Sequence, residues 1–194
     1  MKTREGKRED APFLAEVVME AVGEELILGL AGTKERIPLV RELFSTLAAD
    51  NNSQYSYKNA FVAVDEEGNR LGGIIAYDGA RLHELRRAFA REAHKILGWD
   101  VTEEDSETWD DEADPSEIYI DSLYVVSQAR QQGVATKLLK SVAEKFRESG
   151  KPLGLLVEPE NEQALKTYHH WGFRKVGVSN FFSTPMIHEQ KRDR

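Results

Sequence analysis

The sequence contains no cysteine. This absence excludes disulfide bonds, thiolate metal ligands and a cysteine nucleophile, and it is compatible with a reducing compartment. We therefore expect a cytoplasmic protein without a metal site. At 194 residues the chain is long enough to bury a substantial core without disulfides, so we predict one domain, residues 1–194.

Long apolar runs and an excess of positive charge are also missing. The first twenty residues, MKTREGKREDAPFLAEVVME, contain no apolar run that would serve as a signal peptide or a membrane span. The formal net charge is −8 at pH 7, whereas nucleic-acid binders usually present a basic surface. We expect neither a membrane nor a nucleic acid as a partner.

A strand, a turn and a helix are predicted for residues 117–150, which read EIYIDSLYVVSQARQQGVATKLLKSVAEKFRESG. Residues 118–126 are rich in β-branched side chains, Gly133 begins an amphipathic helix, and Gly150 ends it. The N–H groups in the first turn of such a helix have no intrahelical partner, and together with the helix dipole they bind anions such as phosphate. An ordinary turn is the alternative, because neither a Walker loop nor a three-glycine nucleotide fingerprint is present.

A second stretch, residues 153–178, reads LGLLVEPENEQALKTYHHWGFRKVGV. Residues 153–157 have the pattern of a short buried strand. Asn161 is a favourable N-cap for the helix that follows, and Gly172 ends that helix.

Together the two stretches resemble the GCN5-related N-acetyltransferase (GNAT) family. The matching residues are Leu123-Tyr124-Val125, then Arg130-Gln131-Gln132-Gly133-Val134-Ala135, then Asn161, Ala164, Tyr168 and Gly172-Phe173. The resemblance implies an α+β fold, with helices flanking a central mixed sheet that is mostly antiparallel. It also implies an acetyl-CoA-dependent N-acetyltransferase that moves the acetyl group directly to a primary amine of a small molecule or peptide.

The resemblance also implies how acetyl-CoA is held. The pyrophosphate would lie on backbone N–H groups of residues 131–136, and the pantetheine arm would pair with residues 123–125 and with Asn161. A plain helix N-cap is the other interpretation of Asn161. The expected cofactor-binding residues are Leu123, Tyr124, Val125, Arg130, Gln131, Gln132, Gly133, Val134, Ala135, Thr136 and Asn161.

Three residues are candidates for proton transfer. Tyr168 follows Asn161 by seven residues, which in the resembled family is the position of a general acid near the cofactor sulfur. Asp121 and Glu117 are the candidate bases, because strand alternation places both on one face and Asp121 interrupts an apolar strand. His169 and His170 are the alternatives. Where members that modify protein N-termini often carry a glutamate, this chain has Leu156, which weakens that substrate assignment.

Residues 79–116 form an insertion where the resembled family usually has a short turn. Its first half predicts a helix with an apolar stripe that includes Leu82, Leu85, Phe89 and Ile96, and with basic residues on its other faces. Its second half, residues 100–114, has nine acidic residues and no basic one. Three interpretations stay open: a solvated loop neutralising its own helix, a negative field that selects a cationic amine, and a homodimer contact through the stripe.

Two alternative functions stay open for the whole chain. One is a non-catalytic acyl-CoA-binding module, and the other is an interaction domain that uses the acidic insertion.

Local signals elsewhere give further expectations. Asp10 is a potential N-cap with Pro12 in the first turn of its helix, and Gly23 interrupts that helix. Residues 60–65 and 70–78 predict a hairpin, with Gly72-Gly73 marking a bulge or close packing. Residues 181–187 predict a last strand, and we expect the charged tail from Glu189 to fray.

Overall fold

The computed structural model describes residues 1–181 and 184–192 of the chain. Five α-helices and seven strands are present in this part. The helices are α1 (Ala11–Ala31), α2 (Ile37–Ala49), α3 (Leu82–Leu97), α4 (Val134–Lys145) and α5 (Glu162–His170). The strands are β1 (Lys2–Glu5), β2 (Ala60–Val64), β3 (Arg70–Asp78), β4 (Ile118–Val125), β5 (Leu153–Val157), β6 (Arg174–Phe181) and β7 (Thr184–Lys191).

The strands form one sheet in the order β1-β2-β3-β4-β5-β7-β6. Neighbouring strands are antiparallel except β4 and β5, which run parallel. This mixed, mostly antiparallel sheet with flanking helices confirms the predicted fold class. The parallel pair is short, since only Ile118 with Leu153 and Tyr119 with Gly154 are in register, and beyond them the two strands separate.

Helices cover both faces of the sheet. Leu14, Phe44 and Phe89, from α1, α2 and α3, pack in one cluster with Val62 of β2. The other cluster combines Leu138 of α4 with side chains of β3, β4 and β5. Because alternate residues of a strand face opposite sides, the sheet can bury an apolar surface against both layers. No helix in the described part of the chain is long and apolar enough to cross a membrane.

An irregularity in β4 falls at Asp121. Ile120 pairs with Ala76 of β3, whereas Ser122 pairs with the adjacent Ile75, so Asp121 is an extra residue in the ladder. Such a bulge reverses the alternation of the strand and redirects the side chain at its centre. Bulges are common next to active sites, and this one is where the sequence has its only acidic residue within β4.

Several local predictions are confirmed. The helix after the turn begins directly behind Gly133, which has a left-handed backbone (φ 76°), and β5 has the predicted bounds. Asn161 caps α5, since its side chain accepts a hydrogen bond from the Ala164 amide at 3.1 Å. At Gly72 a Cβ would lie 2.7 Å from the Tyr124 carbonyl oxygen, so the glycine is needed for close packing. Gly23 does interrupt α1, with φ 82° and ψ 165°.

Two predictions are wrong, both because distant partners outweigh local signals. Asp10 does not cap α1; its buried carboxylate instead binds Arg4 and Arg70, each at 2.7 Å. Burial acts to raise the pKa of Asp10, but the hydrogen bonds from the two arginines lower it to about 2. The described part of the tail does not fray from Glu189 onwards, because β7 continues to Lys191 and Glu189 is fully buried.

The predicted last strand of residues 181–187 is divided. Phe181 ends β6, and Thr184 begins β7, which pairs antiparallel with β6. Residues 182 and 183 lie outside the described part of the chain.

The insertion packs onto the domain. Leu82, Leu85 and Phe89 of α3 are buried inside the chain, which contradicts a homodimer contact through this stripe. The three arginines of α3 pair with the acidic segment that follows. These ion pairs are Arg86 with Asp111, Arg87 with Glu107, and Arg91 with Glu103. The self-neutralising interpretation is therefore the one that the structure supports.

Candidate active site

A cleft of about 530 Å³ opens where β4 and β5 separate. Its walls come from the second half of α1, from β4 and β5, from the start of α5, and from the β6–β7 pair. The lining includes Glu24, Asp121, Leu156, Asn161, Tyr168 and Met186. Three residues singled out from the sequence thus meet in one cavity: Asp121, Asn161 and Tyr168.

The kink in α1 gives the cleft one of its walls. Gly23 takes a backbone conformation that side chains with a Cβ rarely adopt, so the helix changes direction there. Residues 21–26 and Gly29, on both sides of the kink, line the cavity. The sequence predicted that Gly23 interrupts the helix, but not that the kinked helix forms a wall of the cleft.

Asp121 extends into the cleft from the bulge in β4. One carboxylate oxygen accepts a hydrogen bond from the Ser122 hydroxyl at 2.8 Å, and the other faces the Gln54 amide nitrogen at 3.5 Å. Burial raises the pKa of Asp121 to about 6, against the opposing effect of these hydrogen bonds. The group is therefore mostly ionised at neutral pH, yet basic enough to accept a proton.

Glu112 is a second buried acid near Asp121, and the sequence did not distinguish it among nine carboxylates. It is 8% exposed, and Gln54 donates to it at 3.1 Å while also facing Asp121. Burial raises the pKa of Glu112 to about 7, and the charge of Asp121 acts in the same direction. The insertion thus brings an ionisable group beside the candidate base.

Glu117 occupies a different environment and is not among the described residues that line the cleft. It is fully buried, and one oxygen accepts from the Asp114 amide at 3.0 Å. The other oxygen lies 2.8 Å from both His188 Nε2 and Gln190 Nε2 on β7. A Cβ at Gly154 would overlap the carboxylate, which explains the glycine in β5. Glu117 links β7 to the end of the insertion.

Tyr168 lines the cleft from α5, and its ring contacts Trp171 and Phe173 edge-on. Burial, together with the charge of Glu189, raises the pKa of Tyr168 to about 12. The hydroxyl therefore stays protonated at neutral pH and can donate a proton.

The predicted cofactor turn is exposed at the N-terminus of α4. Gln131 and Gly133 both have positive φ, 60° and 76°, and no side chain caps the helix. A non-glycine residue in this conformation is uncommon and often marks a functional site. Arg130 donates from Nε to the Val125 carbonyl at 3.1 Å, and its guanidinium carbon lies 6.0 Å from the centre of the Tyr124 ring. The uncapped N–H groups therefore face outwards beside the end of β4.

The charge of the cleft is negative. Glu24, Glu25, Glu158 and Asp121 line it, and among the described residues no lysine, arginine or histidine does. His169 instead lies 2.6 Å from Glu189, through its Nε2 and a carboxylate oxygen. The histidine alternative for the base thus has no support from this geometry.

Comparison with known proteins decides the family. The model of the Acetyltransferase (GNAT) family matches residues 35–173. The chain belongs to the GNAT family of acetyltransferases. A curated relative, the acetyltransferase Atu2258 of Agrobacterium fabrum, is 38% identical over 60 residues, which are 31% of this chain and 43% of that protein. The match thus spans less than half of that relative's length.

Solved structures agree over nearly the full chain. A crystal structure of an acetyltransferase superposes with a TM-score of 0.73 at 25% identity and covers 99% of both chains. An N-acetyltransferase from Staphylococcus aureus Mu50 gives a TM-score of 0.71 at 22% identity, over 98% of this chain and all of the other. The second likeness shows the shared fold alone.

GNAT enzymes generally use acetyl-CoA, and the site fits this molecule in two respects. Because β4 and β5 separate after Tyr119, the backbone edge of β4 is open there. The extended pantetheine arm can pair with this edge as an added strand would. The uncapped turn at Gly133 offers N–H groups to a pyrophosphate. Asn161 lines the same cleft while capping α5.

Proposed function

We propose that this GNAT protein transfers the acetyl group of acetyl-CoA to a primary amine that carries a positive charge at neutral pH. The observation that carries the proposal is the cleft itself. It places a carboxylate with a raised pKa and a protonated tyrosine hydroxyl along the gap between β4 and β5. Its negative lining favours an ammonium group over a neutral or anionic acceptor.

Binding of acetyl-CoA is assigned to the two elements that the sequence singled out. The turn of residues 131–136 would bind the pyrophosphate through backbone N–H groups, and Arg130 adds positive charge beside it. Residues 123–125 would pair with the pantetheine arm, and Asn161 would hydrogen-bond it from the opposite side of the gap. Acetyl-CoA supplies the acetyl group as a thioester.

Asp121 and Tyr168 then have complementary roles. Asp121 first accepts a proton from the ammonium group and releases it to solvent. It then accepts a second proton from the same nitrogen as the new carbon–nitrogen bond forms. Tyr168 donates its proton to the sulfur as the carbon–sulfur bond breaks. The products are an N-acetyl amine, the free thiol and one proton released to solvent. The second proton taken up by Asp121 returns to Tyr168 by way of solvent. The distinct pKa values of the two groups, about 6 and about 12, suit a base and an acid respectively.

Asp121 is the better base of the two carboxylates. It lines the cleft, whereas Glu117 is fully buried and accepts hydrogen bonds on both oxygens. Because Glu117 does not line the cleft, an amine bound there has no contact with its carboxylate. We therefore assign Glu117 a structural role in place of the catalytic one that strand alternation favoured.

The alternative functions have less support. A non-catalytic acyl-CoA-binding module needs neither the raised pKa of Asp121 nor a tyrosine hydroxyl in the cleft. An interaction domain using the acidic insertion needs unpaired charge, but Glu103, Glu107 and Asp111 form ion pairs with α3.

Gly133→Val tests the cofactor site, and Gly150→Val is its matched control. Both glycines have positive φ, 76° and 67°, and a Cβ would meet nothing within 4 Å at either position. Each substitution therefore strains the backbone by a similar ~1–2 kcal/mol. We expect calorimetry to show acetyl-CoA binding weakened about tenfold or more by Gly133→Val, since one or two backbone hydrogen bonds are displaced. Gly150→Val should bind acetyl-CoA like the parent. Equal affinities for the two variants would contradict this placement of the cofactor.

A further inference from the structure

A second cavity, of about 460 Å³, lies between the insertion and the body of the domain. We refer to it as the aromatic chamber. Five of the eleven residues that line it are aromatic, and eight of the eleven come from the insertion. The aromatic residues are Tyr55, Phe89, Trp99, Trp109 and Phe181.

The chamber adjoins the active-site cleft. Phe181 lines both cavities. The Gln54 amide connects them as well, because it donates to Glu112 in the chamber and faces Asp121 in the cleft. The two cavities therefore share a boundary at Phe181 and Gln54, so one acceptor molecule could occupy both.

Aromatic side chains form the largest group in the lining of the chamber, in spite of the acidic segment that helps to build it. Phe89 forms edge-on contacts with Trp99 and Trp109, with ring centroids 6.1 and 6.0 Å apart. Arg86 is 2% exposed, and its charge is paired with Asp111 at 2.8 Å. Burial raises the pKa of Glu112, so this carboxyl is partly neutral at pH 7. Such walls suit a ring better than a chain of charges.

The size of the chamber also indicates a ligand. Protein interiors are close-packed, and voids much larger than a water molecule are few. Cavities of a few hundred cubic ångströms, lined by aromatic side chains with a small number of polar groups, are typical of ligand sites.

We propose that the aromatic chamber binds the body of the acceptor, and that the acceptor is a primary amine with an aromatic ring on a short aliphatic arm. The ring stacks among Trp99, Trp109 and Phe181, and the ammonium group lies at Asp121. This assignment rests on the proposed acetyl transfer. It narrows the cationic amine that the acidic segment suggested, because Glu103, Glu107 and Asp111 of that segment are paired with α3.

Tryptophan fluorescence tests the binding part without any acetyl transfer. The chain has three tryptophans, and Trp171→Phe leaves only Trp99 and Trp109, both in the chamber. Titration of this variant with 2-phenylethylamine should give a saturable change in emission. 1,4-Diaminobutane, a cation without a ring, should give none at equal concentration. Emission that stays unchanged with 2-phenylethylamine, or changes equally with both amines, overturns the proposal.

Kinetics test the specificity part. Val101→Trp fills the chamber without removing a core side chain, and Trp109→Ala removes one wall. We expect each to lower kcat/KM for 2-phenylethylamine about tenfold or more, through KM, and to leave acetyl-CoA binding unchanged. One variant adds side-chain volume and the other removes it, so a loss shared by both is not explained by a single kind of packing defect. Circular dichroism checks that both variants are folded.

The outcomes separate the two levels of the claim. Acetylation of 1,4-diaminobutane but not of 2-phenylethylamine overturns the chamber assignment and leaves acetyl transfer standing. Saturable fluorescence with 2-phenylethylamine, but no acetylation of any amine, supports the chamber and overturns the proposed function. A kcat/KM for 2-phenylethylamine that neither variant changes also overturns the chamber assignment.

Discussion

Asp121→Asn should lower the turnover number by about 10²–10⁴-fold, the usual loss when a general base is removed. The amide has the same shape and can still accept from Ser122, so folding and acetyl-CoA binding should persist. In the parent, kcat/KM for the amine should fall as the pH drops through about 6, because protonated Asp121 cannot accept a proton. The residual activity of the variant should lack this dependence. Steady-state kinetics between pH 5 and 9 measure both effects.

Glu117→Gln is the matched control for Asp121→Asn. It removes a buried carboxylate that accepts from Asp114, His188 and Gln190, so the variant should unfold at a lower temperature. The acidic limb of its rate profile should nevertheless stay near pH 6. If Asp121→Asn keeps that limb and Glu117→Gln loses it, the assignment of the base is reversed.

Tyr168→Phe should lower kcat by about 10²–10⁴-fold, with little change in the KM of the amine. The substitution removes one hydroxyl and keeps the ring contacts with Trp171 and Phe173. The pKa of Tyr168 is about 12, so the hydroxyl keeps its proton below pH 10. The alkaline side of the rate profile should therefore have the same shape in the parent and the variant up to pH 10. Steady-state kinetics on amine and acetyl-CoA give the two constants separately.

Tyr57→Phe controls for the loss of a tyrosine hydroxyl as such. Tyr57 donates to Asn51 at 2.8 Å and is not among the residues that line the cleft. This variant should retain the turnover of the parent. A Tyr168→Phe protein that turns over as fast as Tyr57→Phe would remove Tyr168 from the mechanism.

Features fixed by local chemistry could be predicted from the sequence. Glycine at a left-handed position marks where α4 begins, and the amide of Asn161 marks where α5 begins. A run of apolar residues between a proline and a polar segment is enough to bound β5. These signals lie within a few residues of the element they define, so tertiary contacts do not override them.

Features that depend on distant partners could not be predicted. Asp10 has the appearance of a helix cap, but Arg70 lies 60 residues away in sequence and binds it across the sheet. The bulge at Asp121 follows from the register of β3 against β4, which no periodicity within β4 reveals.

The insertion illustrates the same limit at the site. Its basic helix and acidic segment were visible as opposite charges, and their mutual neutralisation was one of three interpretations. How the segment folds back decides which side chains meet. It brings Glu112 to the same Gln54 amide that faces Asp121, and it places Trp99 and Trp109 in the wall of the aromatic chamber. From composition, selection of a cationic amine was one of three open interpretations, whereas the packed insertion is the basis for proposing a ring-bearing amine.

The central claim is acetyl transfer from acetyl-CoA to an amine in the cleft between β4 and β5. The most direct measurement mixes the purified protein with acetyl-CoA and, in separate reactions, 2-phenylethylamine, 1,4-diaminobutane and a lysine-rich peptide. Free thiol and N-acetyl product are then quantified in the same sample, the latter by mass spectrometry. We predict equal amounts of the two with at least one amine, and a rate of formation about 10²–10⁴-fold lower for both with Asp121→Asn. Thiol release without an acetylated amine, or no thiol release with any of the three, would contradict the account.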